Sequence, residues 1–473
     1  MDLRADVLVL GAGPGGYTAA FRAADLGRSV VLVERYAALG GVCLNVGCIP
    51  SKALLHVAEV IEAARALGEA GVEFGAPKLD LARLRARKQE VVGQLTGGLA
   101  QLARQRGVSV VTGTGRFAGA KRIDVDTADG SVAIAFDTAI VAAGSRSLRL
   151  PGLDTDDPRV MDSTAALALD ELPRRLLVVG GGVIGLELAT VYDALGCEVV
   201  VVELLDRLMT GPDPDLVRPL ERRIAARYGG VFLGTKLTAL EPRGDGLLVS
   251  LEGPKAPKQD LFDRVLVAVG RRPNGDRVGA EAAGLRVDAR GFLPVDERLR
   301  TNLPHVLAIG DVARPPLLAH KASHEGKTAA EVAAGLASGF DARAIPSVAY
   351  TDPEVAWVGL GEAEARARGV EVDVARFPWS ASGRALGMGR GEGLSKLIFA
   401  KGTRRLLGAG LVGAHAGELV AECALAIEMG ADAEDVALTV HPHPTLSETV
   451  GFAAEVAAGT VTDLYLPRRA RSS

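Results

Sequence analysis

Cysteine is scarce in this chain of 473 residues, which contains only Cys43, Cys48, Cys197 and Cys423. A small secreted scaffold needs a much denser set of cysteines, so this count excludes a disulfide framework. Cys197 and Cys423 stand alone in the sequence and are predicted to be buried structural thiols. Cys43 and Cys48 lie five positions apart, and such a pair in a chain with few cysteines indicates redox chemistry in a reducing compartment.

The chain also has few aromatic residues, no dominant charge and no long apolar run. Aromatic residues make up 4% of the chain, whereas hydrophobic residues make up 48% and glycines number 58. This composition is typical of a large α/β protein that uses glycine where the backbone approaches a ligand. The formal net charge is −4, with acidic and basic residues interspersed, which disfavours nucleic-acid binding.

No uncharged apolar run in the sequence reaches the ~18 residues that a membrane span requires. The first apolar strand follows Met1 closely, without the pattern of a signal peptide. We therefore expect a cytoplasmic protein of bacterial type with no membrane span.

The chain contains one unit twice: an apolar strand, a G-x-G-x-x-G turn, a helix, a second apolar strand and then a glutamate. In both copies the glutamate follows the first glycine by 23 positions, close to the ~20 expected of a dinucleotide fingerprint. The glycines let the backbone approach a pyrophosphate at the positive end of the helix, and the carboxylate accepts hydrogen bonds from ribose hydroxyls. Two copies predict two dinucleotide sites. These residues are Gly11, Gly13, Gly16 and Glu34 in the first copy and Gly180, Gly182, Gly185 and Glu203 in the second.

The two fingerprints are expected to bind different dinucleotides. The carboxylate of Glu203 repels a 2′-phosphate and favours NAD over NADP at the second site, although Arg207 stands close enough in sequence to contact a phosphate. The first fingerprint leads directly to Cys43 and Cys48. Its dinucleotide is therefore expected to be FAD, in electronic contact with the thiols.

Cys43 and Cys48 lie in the run GGVCLNVGCIPSK, from Gly40 to Lys52. An ideal helix rises ~1.5 Å per residue, so positions five apart are roughly 8 Å apart, beyond the ~7 Å that a disulfide spans. The helix must then be distorted, and Gly47 and Pro50 are residues that permit or impose a distortion. We predict a strained, accessible and reducible disulfide, with two buried unreactive thiols as the alternative.

Other patterns complete this outline of the chain. Residues 79–106 predict a long amphipathic helix, and residues 416–429 predict a helix of a separate C-terminal domain. Within the first of these helices, a basic cluster is interpreted as a solvated face. The cluster consists of Arg83, Arg85, Arg87 and Lys88.

Four stretches together resemble the dihydrolipoyl dehydrogenases, the flavoprotein components of 2-oxo acid dehydrogenase complexes. The resemblance extends over essentially the whole chain, whereas any one stretch would indicate only the wider pyridine nucleotide-disulfide oxidoreductases. The stretches are the cysteine run, AHKA at 319–322 with Glu325-Gly326, YTDPE at 350–354 and HPTLSE at 443–448.

The resemblance implies a flavoprotein that reoxidises protein-bound dihydrolipoyl groups through the Cys43–Cys48 disulfide and FAD, and passes hydride to NAD+. It further implies a homodimer with one FAD per subunit, active sites shared between subunits, and a lipoylated acyltransferase as partner. The implied fold is α/β, with two Rossmann-like dinucleotide-binding domains and a C-terminal α+β dimerisation domain. The expected boundaries are 1–147 for the FAD domain, 148–275 for the NAD domain, 276–345 for a central domain completing the FAD site, and 346–473 for dimerisation.

The resemblance also assigns roles to individual residues. Cys43 is expected to exchange with the substrate thiols, and Cys48 to lie against the flavin. His443 is the implied base, oriented by Glu448 and reaching the disulfide of the other subunit. No metal site is expected. The implied FAD contacts are Gly11, Gly13, Gly16, Glu34, Arg35, Gly41, Lys52, Gly115, Gly310, Asp311 and Ala319, and the implied NAD contacts are Gly180, Gly182, Gly185, Glu187, Glu203 and Gly270, with Glu187 also the expected ionic partner of Lys52.

Rival functions fit the residues less well. A glutathione reductase is expected to have arginines around position 203, a mercuric reductase a C-terminal cysteine pair, and a thioredoxin reductase a C-x-x-C motif where only Cys197 occurs. A catalytically silent subunit that binds FAD within a large assembly is the alternative from another class. The intact Cys43, Cys48 and His443 argue against it.

Overall fold

The computed structural model describes residues 2–150 and 156–465. Contacts divide the chain into two units, and neither is continuous in sequence. The units do not follow the four predicted domains, whose boundaries stay predictions. Unit 1 comprises Met1–Leu54, Lys78–Leu172 and Leu266–Asp341, and unit 2 comprises Leu55–Pro77, Pro173–Val265 and Ala342–Ser473.

The strands are numbered in chain order. They are β1 Asp2–Leu10, β2 Val30–Glu34, β3 Ser109–Thr112, β4 Thr114–Gly119, β5 Arg122–Thr127, β6 Gly130–Val141, β7 Ser145–Ser147, β8 Val160–Met161, β9 Arg175–Val179, β10 Glu198–Val202, β11 Gly230–Phe232, β12 Lys236–Arg243, β13 Gly246–Glu252, β14 Gln259–Phe262, β15 Arg264–Val267, β16 Arg271–Pro273, β17 Val306–Ala308, β18 Ser347–Ala349, β19 Glu354–Gly359, β20 Val372–Pro378, β21 Leu394–Ala400 and β22 Leu406–Gly413.

The α-helices are numbered in the same way. They are α1 Pro14–Asp25, α2 Gly41–Val46, α3 Cys48–Ala66, α4 Leu81–Gln105, α5 Ser163–Ala168, α6 Val183–Ala194, α7 Pro214–Arg227, α8 Ala280–Ala283, α9 Ala319–Ala333, α10 Glu362–Arg368, α11 Gly383–Gly387, α12 Ala416–Met429, α13 Ala433–Leu438 and α14 Glu448–Ala458.

Unit 1 is built on a sheet with the strand order β3-β2-β1-β6-β5-β4, in which β17 also pairs with β6. β1 runs parallel to both β2 and β6, and β17 runs parallel to β6. Because side chains alternate along a strand, Val7 and Val9 of β1 enter one buried cluster while Leu8 and Leu10 enter the other. Burial on both faces explains the continuous apolar sequence of β1 and β2.

Unit 2 contains a parallel sheet and, farther along the chain, an antiparallel sheet. β9, β10 and β11 are parallel, as expected for the second dinucleotide unit. The C-terminal part forms a sheet in the order β18-β19-β22-β21-β20, and α12 and α14 pack on it around a buried cluster. The helix predicted at 416–429 is found as α12 with the same bounds.

The helix predicted at 79–106 is confirmed as α4, whose N-terminus is capped by the side chain of Asp80. The interpretation of its basic cluster as a solvated face is wrong for Lys88 and Arg85. Lys88 is buried and donates to the carbonyl of Leu167, and Arg85 donates to the carbonyl of Leu169 at 3.0 Å. The physical reason is that the last carbonyls of α5 have no partners within their own helix and need donors from elsewhere.

One helical stretch in the described part of the chain, Gly41–Ala70, is long and apolar enough to cross a membrane by length and composition alone. A core helix of a soluble protein passes the same test. This stretch includes Lys52 and Glu59 and is interrupted at Gly47. It therefore carries no argument for a membrane span.

Candidate active site

The first glycine turn joins β1 to α1 and is held by backbone packing. Gly11 has φ +101°, and a Cβ there would lie 2.4 Å from the carbonyl oxygen of Ala142. A Cβ at Gly16 would lie 1.8 Å from the carbonyl oxygen of Gly11. Only glycine permits these approaches, and they set the first turn of α1 directly on the end of β1.

Gly13 in the same turn faces open space, because a Cβ there would have no atom within 4 Å. It is the N-cap of α1, which has neither a side-chain cap nor an acidic residue in its first turn. The amide groups at this helix end and the helix dipole therefore favour an anionic group. The turn fits the pyrophosphate of a dinucleotide.

Glu34 ends β2 and lies buried beside this turn. Its carboxylate accepts hydrogen bonds from the amide of Ala12 at 2.7 Å and from the amide of Tyr36 at 3.1 Å. These bonds fix the carboxylate and leave lone pairs that ribose hydroxyls can use. The neighbouring Arg35 is exposed and lies over the ring of Tyr36, and its predicted FAD contact stays a prediction.

The cysteine run, residues 40–52, begins in contact with the first glycine turn. A Cβ at Gly41, the first residue of α2, would lie 2.6 Å from the Cα of Gly13. The helix ends at Val46, and α3 begins at Cys48, so the predicted interruption is confirmed at Gly47. A Cβ at Gly47 would lie 2.9 Å from the carbonyl oxygen of Val42, which explains the need for glycine there.

Cys43 in α2 and Cys48 at the start of α3 are brought together by this interruption. A hydrogen bond with Cys48 raises the pKa of the Cys43 thiol, burial raises the pKa further, and the charge of Lys52 opposes the shift. The two side chains therefore interact directly. The disulfide between them and the flavin contact of Lys52 stay predictions.

Three other predicted FAD contacts lie in unit 1. Gly310 has φ +69°, and its amide donates to the buried Glu325 at 2.8 Å. Asp311 accepts from the hydroxyl of Ser145 at 2.6 Å, and Ala319 is the first residue of α9. These positions are fixed by the fold, while their contact with a flavin stays a prediction.

Gly115 has a packing role in the structure. A Cβ there would lie 2.8 Å from Cδ1 of Leu10 and 3.1 Å from Cγ1 of Val33. The close approach of β4 to β1 and β2 therefore accounts for this glycine without a ligand. Its predicted FAD contact remains a prediction.

The second glycine turn repeats the first in unit 2. Gly180 has φ +113°, and a Cβ at Gly185 would lie 2.1 Å from the carbonyl oxygen of Gly180. Gly182 faces open space and is the N-cap of α6, which also has no side-chain cap. Glu203 accepts from the amide of Gly181 at 2.6 Å and from that of Leu205 at 2.8 Å. This turn also fits a pyrophosphate, with a carboxylate fixed for a ribose.

Two further predicted NAD residues have other contacts. Glu187 of α6 is buried and accepts from the amide of Tyr350 at 3.0 Å. Gly270 has φ +126°, and its carbonyl accepts from the amide of Leu148 at 3.0 Å. The NAD contacts of both residues and the ion pair of Glu187 with Lys52 stay predictions.

His443 and Glu448 form the predicted pair, with Nδ1 of the ring 2.8 Å from Oε1 of the carboxylate. The other carboxylate oxygen of Glu448 accepts from the amide of Thr445 at 2.7 Å, which fixes its orientation. The side chain of His443 is 80% exposed, whereas that of Glu448 is 12% exposed. Since the carboxylate holds a proton on Nδ1, the exposed Nε2 is left with a lone pair that can accept a proton, and the predicted role of His443 as the base stays a prediction.

Sequence reasoning missed a second histidine–carboxylate pair, in which Nε2 of His441 lies 2.7 Å from Oε1 of Glu422. It also missed the buried ion pair of Lys321 with Glu325, 3.2 Å apart and four positions apart in α9. The i, i+4 spacing within one helix is a signal for the ion pair. The partner of His441 comes from α12, and no local spacing reveals it.

A third missed feature is a buried lysine surrounded by three carboxylates. Nζ of Lys396 lies 2.8 Å from Asp213 and 2.9 Å from Asp215, and it also pairs with Glu362. The ligand atoms of the three acids lie within 4.8 Å of one another, as a metal site would require. Because the ammonium of Lys396 lies among the three carboxylates and Arg376 also pairs with two of them, Asp215 and Glu362, the cluster is an ion-pair network.

Comparison with known proteins agrees with this geometry. A family model for pyridine nucleotide-disulphide oxidoreductases matches residues 5–326, and a model for the dimerisation domain of that family matches residues 345–454. A dihydrolipoyl dehydrogenase of Vibrio cholerae is 56% identical over 98% of this chain and 98% of its own length. The chain belongs to the dihydrolipoyl dehydrogenase family of these oxidoreductases.

Other members are also similar over nearly their full length. The dihydrolipoyl dehydrogenase of Haemophilus influenzae is 53% identical over 98% of this chain and 97% of its own. Among solved structures, LpdA from Mycobacterium tuberculosis has a TM-score of 0.87 at 27% identity, covering 96% of this chain and 99% of that chain. The HOCl-induced flavoprotein disulfide reductase RclA of Escherichia coli has a TM-score of 0.85 at 26% identity, covering 95% and 99%.

These comparisons confirm the predicted family, the predicted fold class and the function as a disulfide oxidoreductase. Membership in the dihydrolipoyl dehydrogenase family implies a flavin and a pyridine nucleotide, for which the two glycine turns provide fitting sites. The match to a dimerisation domain supports the predicted homodimer.

Proposed function

We propose that this chain is an FAD-containing enzyme that oxidises protein-bound dihydrolipoyl groups and reduces NAD+. The observation that carries the proposal is the contact between the cysteine run and the first glycine turn. A Cβ at Gly41 would lie 2.6 Å from the Cα of Gly13, and Cys43 follows two residues later. A dinucleotide on this turn would therefore lie close to the backbone segment that carries the two thiols.

Two features support FAD at the first turn and NAD+ at the second. The cysteine run follows only the first fingerprint, which favours the cofactor that exchanges electrons with thiols at that site. Glu203 is fixed by two backbone amides beside the second turn, so its negative charge opposes the 2′-phosphate of NADP. Bound FAD would accept an electron pair from the thiols and pass a hydride to NAD+.

The chemistry of the thiols follows from the order of two exchanges. One substrate thiolate attacks the sulfur of Cys43, the Cys43–Cys48 bond breaks, and Cys48 leaves as a thiolate. The second substrate thiolate then attacks the substrate sulfur of the mixed disulfide and releases Cys43. The substrate leaves as a cyclic disulfide, and the electron pair remains on Cys43 and Cys48.

The protons of the substrate dithiol need a base, and His443 is suited to that task. Its Nδ1 is held by Glu448, and its exposed Nε2 accepts a proton from a substrate thiol, since a thiolate is the attacking species. In the proposed homodimer this base serves the thiols of the other subunit, so a monomer lacks a complete site.

The substrate is proposed to arrive as a lipoyl group on an acyltransferase of a 2-oxo acid dehydrogenase complex, in the cytoplasm. The relatives' names support this substrate class, and the sequence around the thiols supports the reaction. Which 2-oxo acid the complex uses has no bearing on the chemistry at Cys43.

The purified flavoprotein should be assayed with NAD+ and dihydrolipoamide beside NADPH and oxidised glutathione. Rapid NADH formation with the first pair alone is the expected result, and Cys197→Ser, altered at a buried thiol away from the cysteine run, should match it. Turnover with glutathione and NADPH would identify a different disulfide substrate. No turnover with either pair, in a protein that holds FAD, would contradict the proposal.

A further inference from the structure

The side chain of His441 is mostly covered, and it lies in the segment that carries His443. The segment connects α13, which ends at Leu438, to α14, and the side chain of His441 is only 9% exposed. A Cβ at Gly451 of α14 would lie 2.7 Å from Nδ1 of His441. The imidazole ring therefore packs against the backbone of α14, in a space that the glycine leaves open.

Both ring nitrogens of His441 face groups that can only accept hydrogen bonds. Nδ1 lies 2.9 Å from the carbonyl oxygen of Thr439, and Nε2 lies 2.7 Å from a carboxylate oxygen of Glu422. A neutral imidazole carries one N–H and can satisfy only one of these partners. The two bonds can exist together only when both nitrogens carry a proton, that is, in the imidazolium form.

The charges around the ring favour this form. The hydrogen bond to Glu422 raises the pKa of His441, burial opposes the rise, and the charge of Glu448 adds to it. Glu422 belongs to α12, whereas Glu448 and Glu455 belong to α14. Burial and the charge of Asp463 raise the pKa of Glu455, and the charge of His441 opposes that rise.

The two bonds connect two helices, α12 and α13, to the segment before His443. Glu422 comes from α12, the carbonyl of Thr439 lies directly after α13, and the hydroxyl of Thr439 donates back to the carbonyl of Asp435 in α13 at 2.8 Å. His443 follows two residues after this anchored ring, and its own ring is held by Glu448. Displacement of residue 441 would therefore move His443 relative to α14.

We propose that His441, as an imidazolium between Glu422 and Thr439, is a positioning residue for His443. It fixes the segment from which His443 reaches the thiols, without touching substrate or cofactor itself. The inference depends on the proposed role of His443 as the base. Nothing in the comparisons assigns a role to His441 or Glu422.

The first test determines the protonation state in the intact flavoprotein dimer. In protein labelled with ¹⁵N-histidine, spectra of the seven histidines in wild type and in His441→Gln identify the signal of His441. Near neutral pH we expect protons on both ring nitrogens. In Glu422→Gln the side-chain amide can donate to Nε2, so the ring should become neutral and keep both bonds. A neutral His441 in the wild type would overturn the proposal.

The second test compares two activities, lipoamide turnover and the oxidation of NADH by an artificial acceptor. The second reaction does not need His443. His441→Gln should lose about tenfold or more of kcat with lipoamide, because a small displacement of a reacting group is costly, while the acceptor reaction is unchanged. Glu422→Gln should retain most lipoamide turnover, since its geometry is kept. Glu418→Gln, on an exposed position of α12, is the matched control and should behave as wild type.

A third variant separates this inference from the proposed function. His443→Gln should lose lipoamide turnover alone, and retained turnover would remove the base from the mechanism whatever His441 does. If His443→Gln loses turnover and His441→Gln does not, only the positioning role fails. Should His441→Gln not fold into a yellow dimer, Glu422→Ala replaces it, with the same expected loss because the bond to α12 is removed.

Discussion

The two glycine turns share their local geometry but differ in what surrounds them. At the first turn, a Cβ at Gly15 would lie 2.8 Å from the carbonyl oxygen of Ala322, and a Cβ at Gly41 would lie 2.6 Å from the Cα of Gly13. Its neighbours are thus the backbones of α2 and α9. At the second turn, a Cβ at Gly181 would lie 2.4 Å from a side-chain atom of Leu208.

This difference indicates how one fingerprint can serve two purposes. Backbone neighbours cannot rotate away, so the first turn suits a cofactor that stays bound through every turnover. Side-chain neighbours can change rotamer, so the second turn suits a dinucleotide that enters and leaves. The local sequence pattern is the same in both turns, and we expect the elements packed around each turn to decide how long its dinucleotide stays bound.

The largest expected effect comes from Gly13→Val. Gly13 has φ −67° and ψ −178°, a conformation open to other residues, and the added side chain meets no protein atom within 4 Å of its Cβ. The folded chain should tolerate valine, which occupies the pyrophosphate space, so FAD is expected to be lost together with all redox activity. Flavin absorbance after gel filtration measures this loss.

A matched control for Gly13→Val is Gly98→Ala in α4, where a Cβ also meets open space. It should retain FAD and both activities. Full FAD content in Gly13→Val would show that the first turn does not hold the resident FAD. The proposed difference between the two turns would then be wrong.

Cys48→Ser sharpens the comparison, because the thiols follow only the first turn. Lipoamide turnover should fall by about a thousandfold or more, on the scale seen when a reacting nucleophile is removed. FAD content and NADH oxidation by an artificial acceptor should persist, since neither glycine turn is altered. Steady-state assays of both reactions measure the split, and retained lipoamide turnover would refute the assignment of the pair.

Gly182→Val is the counterpart of Gly13→Val at the second turn. Gly182 has φ −82° and ψ 179° and faces open space, so the fold should again tolerate the change. FAD content should stay at the wild-type level, while KM for NAD+ rises about 100-fold, equivalent to about 2.7 kcal/mol of binding free energy. Loss of flavin from this variant would mean that the second turn also holds the resident cofactor.

Sequence alone predicted both turns because each depends on short-range spacing: glycines where the backbone closes on itself, and a glutamate at the end of the next strand. It predicted the interruption near Gly47 because the geometry of a disulfide is incompatible with an ideal helix. It failed for Lys88, whose partners are the carbonyls of Leu167 and Ala168, 79 and 80 positions away. It missed His441 for the same reason, since its ring is fixed by a carboxylate from another helix.

The smallest expected effect is that of Glu203→Gln, paired with Glu34→Gln. Each carboxylate accepts two backbone amides beside its turn, so each substitution weakens one ribose site and leaves its glycines intact. Glu203→Gln should raise KM for NAD+ about threefold to tenfold, for about 1 kcal/mol of lost hydrogen bonding. It should also reduce the preference of the enzyme for NAD+ over NADP+, because the carboxylate that repels the 2′-phosphate is removed. Glu34→Gln should leave both KM values unchanged and increase the rate of FAD release in dilution. If the two variants gave the same phenotype, the turns would not differ in the ligand that each retains.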